Sequence, residues 1–230
     1  MSRPFLRIAI PALVLLSLAA ARAQVETVVV TASLREEAEA PHLSIVKRAD
    51  HLITRVNVTC DTREAPQRLN ELKETLRNMM RAASGSISLG VGDRIVGELN
   101  EANFDDIITP DVRPDTSRAI VIVKTKVAAN DTLNAATRRL TDFIRGVPRA
   151  GRTQVLREGN WDLTIVGPEQ YHDQLVALIL ADAKRSADAL GPGYGVSIEG
   201  LERQVNWYQK GPLDLGLYIA YTLKIGPVGK

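Results

Sequence analysis

Residues 119–127 read Ala-Ile-Val-Ile-Val-Lys-Thr-Lys-Val, which is the clearest strand pattern in the chain. The two-residue repeat of a strand places Val121, Val123 and Thr125 on one face and the two lysines on the other. A strand that is apolar on one face and mixed on the other is typical of an antiparallel sheet with one covered face. The neighbouring segments therefore need to supply helices that cover that face.

Two amphipathic helices are predicted on either side of this strand. The helix after it is expected to begin at Asn130, a good N-cap residue, and its apolar stripe is Leu133, Ala136, Leu140, Phe143 and Ile144. The helix before it follows Asp61 and Glu64, a spacing typical of a capping box. Its apolar stripe is Leu69, Leu72, Leu76, Met79 and Met80. Its opposite side is expected to be solvated and contains Arg68, Glu71, Lys73 and Glu74.

The remaining segments continue the alternation of strands and helices. Residues 43–47 and 53–60 predict a hairpin, and residues 86–91, 161–166 and 196–201 predict further strands. A long helix is expected over residues 169–190, and residues 217–225 alternate like one half-buried strand. This order predicts an α+β fold: antiparallel-rich sheets with helices packed on one face, in two small lobes.

The N-terminus has the three parts of a secretory signal peptide. Arg3 and Arg7 form a positive start, residues 8–20 are apolar, and Ala21-Arg22-Ala23 is a small-x-small cleavage pattern. The apolar run is shorter than the ~20 residues that span a bilayer. We therefore predict a signal peptide at residues 1–23, export to the periplasm or beyond, and no stable membrane anchor after cleavage. The alternative is an N-terminal membrane anchor.

Cleavage changes the charge balance. The full chain has 29 basic and 27 acidic residues, and loss of Arg3, Arg7 and Arg22 leaves 26 basic against 27 acidic. Nucleic-acid-binding proteins usually have a basic excess, so we expect no nucleic-acid partner. The hydrophobic share of 45% is typical of a folded chain rather than a disordered one.

Cys60 is the only cysteine, which excludes an intramolecular disulfide. Strand alternation places it on one face with Val56 and Val58, so we expect a small buried side chain. An intermolecular disulfide or a reactive thiol is the alternative.

Residues 175–191 read LVALILADAKRSADALG, and Val196-Ser197-Ile198-Glu199-Gly200 follows. This helix-then-strand pattern resembles the signature of the SIMPL-domain family, in which an alanine-rich helix with an Ala-Asp-Ala-(Lys/Arg) core ends at Leu-Gly before a strand. The resemblance extends over residues 42–225. The family's usual Gly-x-Gly opening and Pro-Asp pair are replaced here by Ile45-Val46-Lys47-Arg48 and Asp50-His51.

The resemblance implies a secreted or periplasmic α+β protein, often oligomeric and without an established catalytic site. Some bacterial relatives are linked to defence against oxidative or envelope stress. Residues 42–230 are therefore expected to form a SIMPL-like domain that acts by self-association or by binding an envelope protein.

The residues themselves predict no catalytic, cofactor-binding or metal site. His42, His51 and His172 lie far apart and lack metal-ligand spacing to other ligands. Asp105-Asp106 is more typical of a solvated turn than of a catalytic carboxylate pair. An enzyme with an unrecognised site is the least favoured hypothesis.

Two segments are candidate partner-binding sites. In the expected flexible acidic tail, residues 24–41, the run Glu26-Thr27-Val28-Val29-Val30-Thr31-Ala32 resembles the TonB box, which outer-membrane receptors use for strand addition. The alternatives are an accessory protein recruited by TonB and a tail that merely adds an edge strand. Trp207 and Tyr208 lie in a polar stretch, where an exposed aromatic pair could anchor a protein interface. Simple packing is the alternative for this pair.

Overall fold

The structure is a computed structural model that describes residues 26–27, 41–92 and 95–227. The predicted signal peptide and most of the predicted tail lie outside these residues. In chain order the elements are β1 (Glu26–Thr27), β2 (Ile45–Arg48), β3 (His51–Cys60), α1 (Ala65–Ala82), β4 (Ile87–Val91), β5 (Ile95–Glu98), α2 (Phe104–Ile107), β6 (Ile108–Pro110), β7 (Ser117–Lys126), α3 (Leu133–Gly146), β8 (Thr153–Thr164), α4 (His172–Leu190), β9 (Tyr194–Glu199), β10 (Asn206–Gln209), β11 (Asp214–Tyr218) and β12 (Thr222–Pro227).

The strands form three open antiparallel sheets. The large sheet has the order β1-β5-β4-β7-β3-β8, and β6 also pairs with β7. A three-stranded sheet has the order β10-β11-β2, and β9 pairs with β12 in a two-stranded sheet. The predicted α+β architecture with antiparallel sheets is confirmed.

The strand predicted at residues 119–127 is β7, at the centre of the large sheet. It pairs with β3 along its whole length, from Cys60 opposite Ser117 to His51 opposite Lys126. Its other side is shared by β4 and β6, which pair with its two halves. Both sides of β7 are therefore hydrogen-bonded.

The helices pack on one face of the large sheet, as predicted. The apolar residues of that face and of the helices are buried in one cluster, which includes Val56, Val58, Val121, Val123, Leu72, Leu76, Met79, Ala136, Leu140 and Ile144. The same cluster continues into α4 and the three-stranded sheet through Leu175, Ile179, Trp207, Leu215 and Leu217. One contiguous core therefore joins the large sheet to the three-stranded sheet.

The hairpin predicted around residues 49–51 is wrong. β2 pairs with β11 in the three-stranded sheet, whereas β3 pairs with β7 and β8 in the large sheet. The chain changes sheets between them, because the Ala49 amide donates to the Leu213 carbonyl and the Asp50 amide donates to the Thr164 carbonyl, each at 2.9 Å.

The single strand predicted over residues 217–225 is also wrong. β11 ends at Tyr218 and β12 begins at Thr222, and the two strands belong to different sheets. The alternating pattern is uninterrupted because both strands are apolar on one face. Alternation alone does not reveal a change of partner.

Both predicted helix starts need correction. α1 begins after Glu64, whose side chain makes no capping hydrogen bond, while Asp61 binds Arg152. α3 is capped by Thr132, whose hydroxyl accepts a hydrogen bond from the Ala135 amide at 3.2 Å, and not by Asn130.

Candidate functional site

The N-terminal segment pairs with the edge of the large sheet. Glu26 and Thr27, the first two residues of the TonB-box-like run, lie opposite Val96 and Ile95 of β5. Strand addition of this kind is how such a segment binds a partner, although here the partner strand belongs to the same chain. The other residues of the run lie outside the described residues: Val28, Val29, Val30, Thr31 and Ala32.

Trp207 and Tyr208 do not form an exposed aromatic pair. Trp207 is only 7% exposed and lies in the core, because strand alternation in β10 turns it inward. Tyr208 points to the opposite face and is half-buried, with its hydroxyl 3.1 Å from the Ser44 hydroxyl. Only Tyr208 of the predicted pair lies where a partner could reach it.

The outer face of the three-stranded sheet is aromatic. The Tyr208 and Tyr218 ring centroids are 6.0 Å apart, and Val46 beside them is 52% exposed. Gly216 leaves room for the Tyr208 ring, since a Cβ atom at this glycine would lie 2.5 Å from it. The sequence alone did not identify this face, because Val46 and Tyr218 come from distant segments.

The two-stranded sheet places its apolar residues on one face. The paired positions on that face are Tyr194 with Pro227, Val196 with Ile225, and Ile198 with Leu223. Tyr194 and Val196 are 44% and 42% exposed. A two-stranded sheet gains little stability by itself, so an apolar face that is still this exposed favours association with another surface.

The two outer edges of this sheet differ in charge. β12 has Lys224 near its centre, and lysine discourages a further strand from pairing with an edge. The central residues of β9 are uncharged, and Glu199 at its end binds Lys224 at 3.2 Å. Within the described residues β9 is therefore the less protected edge.

A second face of the large sheet lies opposite α1 and α3, and we call it the open face. We define it by the β3, β7 and β8 residues that point away from the main core: Ile53, Arg55, Asn57, Thr59, Arg118, Ile120, Ile122, Lys124, Gln154, Leu156, Glu158 and Asp162. Its buried cluster contains no helical residue, since it consists of Ile53, Ile122 and Val96. Ile120 and Leu156 are exposed on it.

A carboxylate cluster joins β3, α1 and the turn before β8 at one end of the large sheet. Glu71 accepts hydrogen bonds from the Thr62 hydroxyl at 2.5 Å and from the Arg152 amide at 3.1 Å. The Cys60 thiol donates to the same carboxylate at 3.3 Å, and Gln67 donates to its other oxygen. The Thr62 hydroxyl is the main reason why the pKa of Glu71 falls from 4.5 to about 2.

This cluster corrects one expectation and supports another. Glu71 was expected on a solvated helix face, yet it accepts hydrogen bonds from β3, from its own helix and from the turns that contain Thr62 and Arg152. Cys60 is buried, as expected. No local sequence signal marks Glu71, because Arg152 lies 81 residues away along the chain. The Glu71 carboxylate accepts hydrogen bonds from all of these groups and so holds their segments together, and the Cys60 thiol beside it is buried.

A second carboxylate, Asp131, fixes the turn before α3. Arg139 donates to both Asp131 oxygens, at 2.9 and 2.6 Å, and is the main reason why the pKa of Asp131 falls to about 2. Arg48 donates to the Asp131 carbonyl at 2.5 Å and so ties β2 to this turn. Both arginines have structural partners, which is typical of an architectural ion pair.

Asp182 lies in the alanine-rich helix α4 and is buried. Arg185 donates to it from one turn further along the helix, and His42 lies 3.9 Å away. The buried side of the helix at this end consists of Asp182, Ala183 and Ala187. The Ala-Asp-Ala segment therefore faces inward.

Other candidate groups lie apart. Asp105 and Asp106 are exposed, as expected, but they lie in the short helix α2 rather than in a turn, and Asp105 binds Lys73 at 2.5 Å. Among residues 41–92 and 95–227, no group of three or more His, Cys, Asp or Glu side chains could hold a metal ion. A shallow cleft of about 370 Å³ lies at the β4 edge, between the end of α1 and β5, and is lined by Met80, Ala83, Ile87, Ser88, Leu89, Val96, Gly97, Glu98, Leu99 and Lys124.

None of the described helices is both long and apolar enough to cross a lipid bilayer. No protein-family model and no curated protein matches the chain.

Proposed function

We propose that the chain is a SIMPL-like protein of the bacterial envelope that acts without enzymatic activity, by self-association or by binding a protein partner. The signal-peptide pattern supports export to the periplasm. The family resemblance supports a role in defence against oxidative or envelope stress. The placement of α4 directly before β9, with Asp182 and Ala183 buried, agrees with the helix-then-strand signature.

The observation that carries this proposal is the exposed apolar face of the β9–β12 sheet. Tyr194 and Val196 leave a contiguous apolar surface beside an uncharged strand edge. Association through this edge would bury those side chains and would extend a sheet that has only two strands. Self-association through β9 is therefore the favoured mode.

Size-exclusion chromatography with light scattering tests this mode on the purified protein. We expect a dimer or larger species at micromolar concentration, and a shift towards the monomer in the Val196→Asp variant. Val112→Asp is the matched control, because Val112 is 94% exposed and lies outside the β9–β12 sheet. A wild-type protein that is strictly monomeric at tens of micromolar would contradict self-association.

A second candidate function is an accessory role in TonB-dependent transport. It rests on the resemblance of residues 26–32 to the TonB box, and TonB would have to displace the pairing of Glu26 and Thr27 with β5 of the same chain. Deletion of residues 26–32 should abolish binding to the periplasmic domain of TonB, and a scrambled segment is the control. Binding that is absent in the wild type, or unchanged by the deletion, would exclude this function.

A further inference from the structure

The direction of the backbone groups in β9 follows from a proline in its partner strand. Tyr194 of β9 lies opposite Pro227 of β12, and proline has no amide hydrogen. These two residues therefore cannot form one of the doubly hydrogen-bonded pairs that occur at every second position of an antiparallel ladder. The bonded positions of β9 are consequently its odd-numbered residues. The N–H and C=O groups of Val196 and Ile198 point away from β12.

The outer edge of β9 combines free backbone groups with apolar side chains. No other strand of the described part of the chain pairs with this edge. The residues whose backbone groups point outward, Tyr194, Val196 and Ile198, are also those that form the apolar face of the sheet. Only the Tyr194 amide has another partner, since it donates to the Gly191 carbonyl at 3.2 Å. A strand added at this edge would therefore bind these backbone groups and cover these side chains.

The outer edge of β12 is less suited to a further strand. Its outward-pointing residues are Leu223, Ile225 and Pro227, and Pro227 has no N–H to donate. Lys224 adds a charge near the centre of the strand. Each copy of the chain therefore offers one suitable edge. Two copies that pair through this edge form a closed assembly, because no suitable edge remains for a third copy.

A two-fold axis limits how two copies of β9 can pair. Strands related by such an axis run antiparallel, and residues that lie opposite each other share one face of the sheet. The axis must therefore pass through a residue position rather than between two residues. An axis at Val196 places Tyr194 opposite the partner subunit's Ile198, whereas an axis at Ser197 places Tyr194 opposite the partner subunit's Gly200. Ile198 packs against the main core and Tyr194 is 44% exposed, so the axis at Val196 brings the exposed end of each strand beside the covered end of the other.

We propose that the β9 edge binds a second copy of the chain, antiparallel, about a two-fold axis at Val196. This inference rests on the self-association proposed above and adds its register and its stoichiometry. The two-stranded sheets of the two copies become one sheet of four strands, in the order β12-β9-β9-β12. Both outer edges of that sheet are β12, so the assembly stops at the dimer.

Disulfide formation between introduced cysteines tests the register. Opposite Cα atoms of a bonded pair are about 5.5 Å apart, which suits a disulfide. With the axis at Val196, the two copies of Ser197 are two positions out of register and about 8 Å apart, which is too far. Val196→Cys should therefore form a covalent dimer on mild oxidation at least about tenfold faster than Ser197→Cys, as measured on non-reducing gels.

Two controls separate register from random collision. Val112→Cys should link as slowly as Ser197→Cys, because Val112 is 94% exposed but lies in the loop between β6 and β7. The wild-type chain should not link, since its own Cys60 is buried. Equal rates for the cysteines at positions 112 and 196 would overturn the proposal.

A second pair of variants makes the test independent of any change at Val196. Tyr194→Cys and Ile198→Cys chains, purified separately and then mixed at micromolar concentration, should link to each other. Neither variant alone should form a covalent dimer, because its two cysteines lie four positions out of register. Self-linked chains without the mixed product would overturn the register.

The outcomes separate this proposal from self-association as such. A protein that is dimeric by light scattering but links faster through Ser197→Cys, or through neither position, would overturn the register and leave self-association intact. A mass that grows beyond the dimer with concentration would overturn closure at two copies. A wild-type protein that is strictly monomeric would contradict self-association itself, and this proposal with it.

Discussion

At the scale of single residues, Glu71 shows how a charged side chain becomes part of the architecture. Its carboxylate occupies the space above Gly151, where the backbone has a φ of +53°. A side chain at Gly151 would overlap that carboxylate and would also strain the left-handed backbone. Helical periodicity predicted an exposed Glu71 because periodicity gives only the direction in which a side chain points. Its contacts depend on segments that are distant in the sequence.

We predict that Gly151→Ala destabilises the protein by more than the cost of its backbone conformation. A left-handed alanine costs about 1–2 kcal/mol, and displacement of the Glu71 carboxylate adds to this. Urea unfolding measures the difference. Gly159→Ala is the control, because Gly159 has a φ of +75° and nothing lies within 4 Å of its Cβ position. Equal losses in the two variants would show that the Glu71 contact contributes nothing.

We also predict a pH dependence that comes from Glu71. Its pKa is about 2 in the folded chain against an ordinary value of 4.5, because the Thr62 hydroxyl and the Arg152 amide stabilise the ionised form. A lowered pKa gives stability that is present above pH 4.5 and is lost as the pH falls towards 2. Glu71→Gln should therefore be less stable than the wild type at pH 7, and the difference should shrink by pH 3.

Unfolding midpoints in urea between pH 7 and pH 2.5 test this dependence. Glu64→Gln is the control, since the Glu64 side chain makes no capping hydrogen bond and should leave the curve unchanged. A gap between the wild type and Glu71→Gln that stays constant across this range would contradict the assignment.

At the scale of elements, periodicity predicted which segments are helices and strands but not their partners. α1, α3, α4 and β7 lie close to their expected positions, because each has a long and regular apolar pattern. The failures concern junctions: residues 49–51 change sheets, and residues 219–221 interrupt an apparently continuous strand. Both depend on hydrogen bonds between residues far apart in the chain, which a local pattern does not contain.

The candidate surfaces also depend on contacts between distant segments, which a local pattern does not contain. Alternation along β10 turns Trp207 inward and Tyr208 outward, but no local pattern indicates which of the two is covered. The open face was hidden because its cations come from β3 and β7, which are adjacent only in the folded sheet.

The capping residue of α3 gives a test at this scale. Thr132→Ala should destabilise the protein by about 1 kcal/mol, because the Ala135 amide loses its hydroxyl acceptor. Asn130→Ala should change the stability little, although the sequence pattern favoured Asn130 as the cap. Thermal unfolding of the two variants separates the alternatives. A larger loss of stability in Asn130→Ala than in Thr132→Ala would contradict the assignment of Thr132 as the cap.

At the scale of the whole molecule, one continuous core connects the large sheet with the three-stranded sheet. Leu52 and Leu163 of the large sheet share this core with Leu215 and Leu217 of the smaller one. Arg48 adds a polar connection through its bond to the Asp131 carbonyl. Shared burial of this kind makes the two sheets stabilise each other.

We therefore predict one cooperative unfolding transition for both sheets. The two tryptophans report on them separately, since Trp161 lies in β8 and Trp207 lies in β10. In Trp161→Phe and Trp207→Phe, the remaining tryptophan's fluorescence should give the same urea midpoint as circular dichroism of that variant. Two separated transitions would contradict a shared core.

The position of β3 between β7 and β8 has a consequence for biosynthesis. Cys60 pairs with Ser117 on one side and with Thr153 on the other. During synthesis from the N-terminus, β3 therefore has neither of its partner strands until more than half of the polypeptide has been made. Late pairing of this kind slows folding and prolongs the exposure of an aggregation-prone strand. Products truncated before residue 153 should consequently depend on chaperones or be degraded.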